Sequence, residues 1–424
     1  MDGLILQDWM LGQRLAALDT ELDYWKDQTR TNRRFKRHHT QVEAFSQIIL
    51  DLRDSIDPKH TAVQDASDAK ERVRVVLALF RIWQFLRAKL VQRNDDSFRT
   101  FLWLADEYAW LCYKPLYDAG LKQPPLVFLN GGYSPFTLTR SEGFEAESVP
   151  HELLRSQSLQ DAMASLPFPV IGVPWYQVRN LADLPVIGHE VGHSVEADLG
   201  LQTPILDAID SAVTDNKDQW ADWASEVFAD IYGCLGCGAA FVDALARFLS
   251  SESADAGGDK YPPPALRLQL NVEVLRSLGD EAGAASIENE WGTSQPPPPQ
   301  RDDLRKVADA VLDGVQVQGK PVRGLLPIDH SSVDELVTRM VKSDPIPQGT
   351  PMRVLVAAYS RVYGKTVREN TQQDVGAKLS RLDRLQRAME GLLTPDTRSG
   401  EIQRPQSGKT RGRLSQMWKA ELNA

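Results

Sequence analysis

Five consecutive residues, His189, Glu190, Val191, Gly192 and His193, set two imidazoles four positions apart with a carboxylate directly after the first. On an α-helix, side chains at i and i+4 lie about 5–6 Å apart at Cβ, near enough to share one metal ion. Glu190 is turned about 100° away from His189, so it reaches a water on the metal rather than the metal itself. A second acidic pair, Glu226 and Asp230, follows downstream, again four apart. A carboxylate from that separate helix makes three protein ligands and leaves the fourth position for water, the open arrangement of a catalytic zinc site. Asp230, one turn beyond Glu226, is placed to accept the free N–H of a ligating imidazole and fix its tautomer. Two neutral histidines and one carboxylate leave such a centre net positive, which favours ionisation of its water near neutral pH. The competing reading is blander: two solvated histidines and a solvated acidic face on ordinary helices.

The flanking residues predict helices at both places. Asp183 is a natural N-cap, Pro185 suits a first turn and Gly200 is a good terminator. Between them Leu184, Ile187, Val191 and Val195 form an apolar stripe, and the histidines fall on a different face. Trp220, Trp223, Val227 and Ile231 make the equivalent stripe beside Glu226. The chain also carries a decoy, "HELLR" at 151–155, with Arg155 where a second ligand belongs.

H-E-x-x-H followed by "EVFADIYG" resembles the gluzincin metallopeptidases, over His189–His193 and Glu226–Gly233. That resemblance implies one catalytic zinc ion on His189, His193 and Glu226, Glu190 as general base, and Asp230 supporting a ligand. The interval between His193 and Glu226 is longer than in thermolysin, so the intervening architecture does not carry over. "YPPPALRLQL" at 261–270 is similar to a stretch after the zinc glutamate in CAAX-protease-like zinc endopeptidases. There a histidine contacts substrate or oxyanion; Tyr261 holds its place here, and a phenol also donates a hydrogen bond. By this likeness Tyr261 is a candidate catalytic residue and Arg267 a candidate support for the acidic ligand shell. A proline-led helix start with a packed tyrosine explains the same residues. His330 is a further candidate for oxyanion stabilisation or acid catalysis, although Asp329 and Ser331 around it read as an N-cap. Tyr133, in the "NGGYSPF" turn, is another candidate for the cleft.

The elements that must position these residues fall into a readable order. Residues 1–118 read as an N-terminal helical bundle, with Leu4, Leu11, Leu15, Leu18, Leu22 and Trp25 as one buried stripe. Residues 119–285 read as a zincin-like metallopeptidase core, its strands in "QPPLVFLNGGYSPFTLTR" and "FPVIGVPW" and its helices from 183 onward. "GTSQPPPPQ" is a stiff linker, followed by a C-terminal helical region at 300–393 and a polar tail at 394–424. The expected class is α+β, mainly α, with a small sheet in the core and helical domains flanking it.

Composition narrows the function classes. A net charge of −10 over 424 residues argues against nucleic acid or an anionic membrane as the main partner. No apolar run is long enough to predict a membrane span. The start lacks the basic region of a secretory signal, and three cysteines cannot build a disulfide framework, so a cytoplasmic location is expected. Cys234 and Cys237 form a C-x-x-C, but Cys237 lies eleven residues from Glu226, about 16 Å along a helix, and reads as packing. The basic run "RTNRRFKRHHT" at 30–40 reads as a solvated helix junction, with contact to phosphates or an acidic partner as the alternative. The expectation is therefore a zinc-dependent endopeptidase acting on a protein or peptide substrate through a zinc-activated water, with Glu190 as general base. The alternative is a helical interaction or nucleic-acid-associated protein whose zinc site is inactive or structural.

Overall fold

The computed structural model describes residues 2–56, 65–118, 124–138 without 133, 168–250, 261–291 and 301–368 without 348, with a few positions between 380 and 389. Tyr133, the 151–155 decoy, the proline-rich linker and the basic tail lie outside the described residues.

Four helices come first: α1 (Asp2–Thr31), α2 (His39–Ile56), α3 (Ala66–Val91) and α4 (Asp96–Asp118). The stripe from Leu11 through Leu15, Leu18 and Leu22 to Trp25 is buried, as its spacing requires. Asp65 starts α3 by accepting from the N–H groups of Ser67 and Asp68. The backbone then extends into β1 (Leu126–Asn130), β2 (Phe136–Leu138) and β3 (Val170–Pro174). β3 is central, parallel to β1 and antiparallel to β2, so β2 stands at an edge. Gly172 of β3 lets the ring of Phe136 lie across it; an added Cβ would meet that ring at 2.5 Å.

Side chains alternate across a strand, and here the alternation separates two cores. Leu126, Phe128 and Val170 face the core built by α1–α3. Val127, Leu129, Ile171 and Val173 face the larger core, which also holds Leu104, Tyr108 and Leu116 of α4. The helices of residues 1–118 thus divide between the two sides of the sheet. The outer edge of β1 is sealed by side chains. Val127 donates to Asp106 at 3.0 Å and accepts from Arg93 at 2.7 Å, while Gln92 both donates to and accepts from Leu129 at 2.8 Å. Unpaired strand edges invite pairing with another chain, and this one is closed. Among the described residues β2 pairs only with β3.

The larger core is completed by α5 (Ile187–Leu199), α6 (Gln202–Ala212), α7 (Lys217–Cys237), α8 (Ala239–Leu249), α9 (Pro264–Ser277) and α10 (Glu281–Trp291), then α11 (Arg301–Asp309), α12 (His330–Lys342) and α13 (Met352–Arg368). A short hairpin, β4 (Gln316–Val317) and β5 (Lys320–Pro321), interrupts the C-terminal helices and was not anticipated from their sequence. Val307, Leu336 and Val354 enter the same core as α5 and α7, so these last helices buttress the centre. The chain is mainly helical with a small sheet, and no helix among the described residues is long and apolar enough to cross a membrane.

Candidate metal centre

α5 does not begin at the expected cap. A 3₁₀ segment, Leu181–Val186, runs directly into it, and the N–H of Ile187 donates to the carbonyls of Leu184 and Pro185. Asp183 is drawn elsewhere, accepting from Asn180 and pairing with Arg247 at 3.1 Å. Gly200 closes the helix as its sequence predicts, with φ of 63° in the left-handed region.

Close approach of α5 and α7 depends on small residues. A Cβ on Gly192 would lie 2.9 Å from the Ala229 Cα and 3.0 Å from the Tyr232 Cβ, and Gly188 faces Gly233 in the same groove. Neither solvated alternative survives this packing. His189 is 7% exposed, Asp230 is fully buried, and the stripes of both helices lie in the core.

Three donor atoms converge between the helices. The Nε2 atoms of His189 and His193 stand 3.2 Å apart, and each lies 3.4 Å from an oxygen of Glu226. Tetrahedral coordination with metal–ligand bonds of 2.0–2.2 Å places neighbouring donors about 3.3–3.5 Å apart. Oε2 of Glu226 is the oxygen near His189 and Oε1 the one near His193, so the carboxylate faces both imidazoles, and the three residues together can hold a metal ion.

The outward-facing ring nitrogens are held as well. Nδ1 of His189 lies 2.9 Å from Asp230, which Arg267 grips with two hydrogen bonds of 2.9 and 2.7 Å. Arg267 also reaches Glu226 at 3.4 Å. Nδ1 of His193 lies 3.2 Å from the hydroxyl of Ser225, which donates to Glu196 at 2.5 Å. With Nδ1 of each ring facing a polar group outward, each ring in its neutral form would turn the Nε2 lone pair to the common point.

Charge points the same way. Glu190, Glu196, Glu226 and Asp230 lie around the two histidines, and among the described residues Arg267 is the cation paired with them, through Glu226 and Asp230. Burial opposes a charged His193, but Glu196 and Glu226 outweigh it and lift the imidazole to about 10. Burial likewise opposes His189, and Asp230 and Glu226 still raise it. Burial alone would raise Glu226, yet the two histidines hold it well below the usual carboxylate range. The cluster calls for positive charge at its centre, which protons on the imidazoles or a divalent cation can supply.

Glu190 is 5% exposed and is not one of the three convergent donors. Its carboxylate accepts from the Thr137 hydroxyl at 2.7 Å, across from strand β2. Neither Thr137 nor the Ser225–Glu196 relay is anticipated from sequence. Glu196 lies three residues after His193 and Ser225 directly before Glu226, so helical spacing contains both. Thr137 is 53 positions from Glu190, and no local pattern connects them.

The remaining candidates are placed apart from the donors or only near the surface. Tyr261 is 53% exposed ahead of α9. His330 opens α12 with Nδ1 3.1 Å from Asp280, and its ring lies against Gly238 just past α7. Gly238 is twelve residues beyond Glu226, about 18 Å along the helix, so the fold does not bring His330 to the donors. Asp329 caps α12 through the N–H groups of Ser331 and Ser332. The three cysteines are buried and unbridged, with Cys234 donating to Asn271 at 3.0 Å. Burial pushes the Cys237 thiol up to about 12, which leaves it unreactive. In the basic run, Arg30 pairs with Glu43 at 2.9 Å, Arg34 with Asp96 at 3.2 Å, and buried Arg37 with Glu107.

Comparison with protein-family models, with curated proteins and with solved structures returns no match for this chain.

Proposed function

We propose that the chain is a zinc-dependent endopeptidase with a zincin-like core. The observation that carries this reading is the convergence of His189, His193 and Glu226 at one point, with Glu190 buried beside them yet outside the donor set. A structural site would close around its metal with four protein ligands, whereas three leave a coordination position for chemistry. A zinc ion held there supplies a Lewis acid that polarises a carbonyl oxygen and acidifies water. Glu190 then takes the proton of the attacking water and hands it to the departing amine. Asp230 and Ser225 keep both imidazoles in the tautomer that offers Nε2.

The substrate class follows from the sheet. Side chains occupy the outer edge of β1, while among the described residues β2 pairs only with β3, and it touches Glu190 through Thr137. An extended polypeptide can add to β2 through main-chain hydrogen bonds and bring its own carbonyl toward the metal. The rival reading, recognition of nucleic acid by the 30–40 run, is weakened by the pairing of Arg30, Arg34 and Arg37 with Glu43, Asp96 and Glu107, while Arg33 and Lys36 stay exposed.

Glu190→Gln tests the proposal, because it removes the proton acceptor and leaves the three donors in place. Zinc-loaded parent and variant are incubated with unfolded, carboxymethylated casein, and cleavage is followed by mass spectrometry. The expected result is cleavage by the parent and none by the variant at equal zinc content. Equal cleavage by the two, or no cleavage by the parent, refutes the reading.

A further inference from the structure

Building on that reading, we infer that Thr137 is the positioning residue for the Glu190 carboxylate. Its hydroxyl oxygen lies 2.7 Å from the Glu190 Oε2 and 2.8 Å from the Glu190 backbone carbonyl oxygen. One hydroxyl carries one proton, and the charged carboxylate is the stronger acceptor, so the hydrogen bond runs to Oε2. The Glu190 backbone carbonyl has another side-chain donor in Ser194 at 3.2 Å, so its own satisfaction does not require Thr137.

Among the described residues, the Thr137 hydroxyl is the hydrogen-bond donor to the Glu190 carboxylate. A glutamate has three rotatable bonds, and a general base works only when its oxygen stays within hydrogen-bond reach of the proton it accepts. Threonine is suited to the task because branching at Cβ restricts χ1, so the hydroxyl is presented in one direction. The residue also sits mid-strand, paired with Ile171 of the central strand β3, which anchors its backbone. Because β2 is the edge on which a peptide would add, the strand that receives the substrate also holds the base. Both reacting partners are thereby set from one piece of backbone.

The test compares Thr137→Val, which keeps the shape and removes the hydroxyl, with Thr137→Ser, which keeps the hydroxyl and removes the branch. Valine is well tolerated in strands, and melting of the metal-free proteins checks that both variants fold. Casein turnover by the zinc-loaded proteins is read as kcat and KM separately, with Glu190→Gln alongside. A second readout needs no turnover: binding of acetohydroxamate to the cobalt-loaded proteins, followed by visible absorption. A hydroxamate binds as it gives its hydroxyl proton to a neighbouring carboxylate, so its affinity reports where that carboxylate is.

Thr137→Val is expected to lose about 10–100-fold in kcat with KM and metal content nearly unchanged, the scale of a misplaced reacting group. Acetohydroxamate affinity should fall by a similar factor, and Thr137→Ser should restore most of both. Parental kcat and hydroxamate affinity in Thr137→Val, with Glu190→Gln inactive, would overturn the positioning role while leaving the peptidase reading intact. If the parent cleaves nothing, the peptidase reading fails, and hydroxamate affinity alone decides on Thr137: parental binding in Thr137→Val overturns the role, weakened binding upholds it.

Discussion

Replacing Gly192 by alanine inserts one methyl group where α5 and α7 touch. The new Cβ would lie 2.9 Å from the Ala229 Cα, 3.0 Å from the Tyr232 Cβ and 3.3 Å from the Ala229 carbonyl oxygen. Carbon atoms in ordinary contact sit about 3.5–4.0 Å apart, so relief requires roughly 0.6–1.1 Å of separation. Two of the obstacles are backbone atoms of a buried helix, and no flexible side-chain end can swing aside. Overpacking of this kind costs about 1–3 kcal/mol of fold stability. Its effect on the metal should be larger, because α5 carries both histidines and α7 carries Glu226. Metal–ligand distances tolerate about 0.2 Å, several times less than the movement required. Zinc affinity of Gly192→Ala is therefore expected to fall at least tenfold, measured by competition against a chromophoric chelator. Gly12→Ala is the control: an added Cβ there meets nothing within 4 Å, and α1 should be stabilised by about 0.5–1 kcal/mol. Parental zinc affinity in Gly192→Ala would show that the helix spacing does not set the donor geometry.

Two further outcomes follow from the groups around the donors. Asp230→Asn keeps the shape but withdraws the charge that orients His189 and balances Arg267, so zinc affinity should drop about 10–100-fold; a change below threefold in the chelator assay would remove Asp230 from the ligand support. His193 is lifted from 6.5 to about 10 in the metal-free protein, so its contribution to stability is complete below pH 6.5 and lost as pH rises through about 10. Melting of the metal-free protein should therefore weaken across that window. Zinc must displace that proton, so its affinity should rise over the same range, and calorimetry at pH 7.5 in buffers of different ionisation heat should show proton release. Zinc binding with no buffer dependence would contradict this linkage.

Local spacing made the donors legible because each half of the site lies within one turn of one helix. His189 and His193 need only the four-residue step of α5, and Glu226 and Asp230 need only that of α7. Bringing the halves together is a tertiary matter, and its signal was present though unread: glycines at 188 and 192 face Ala229 and Gly233. Strands β1–β3 could be placed from their proline and glycine boundaries, but not their order, since β2 reaches β3 across a long interval of chain. The expected cap at Asp183 failed for a long-range reason. Arg247, 64 positions away, pairs with that carboxylate, and a 3₁₀ segment takes over the start of α5. His330 pairs with Asp280 at the start of α12, where Asp329 caps the helix as its sequence suggests.

The same comparison explains why the unanticipated residues cluster around the donors rather than among them. Metal ligation is short-range and periodic, so a motif can encode it. Orienting the ligands requires partners from the elements packed there: Arg267 from α9, which the 261–270 stretch already suggests, and Ser225 from α7 and Thr137 from a sheet edge, which no local pattern singles out. Buried polar groups need partners, and a buried acidic cluster needs them most. Here four carboxylates share one arginine, two imidazoles and the hydroxyls of Thr137 and Ser225, and the imidazoles add positive charge by holding protons or sharing a cation. Protonated, they would set two positive rings 3.2 Å apart at Nε2, a mutual repulsion that a single shared ion removes. Where the three donor residues meet, two imidazole protons or one shared divalent cation can supply the positive charge.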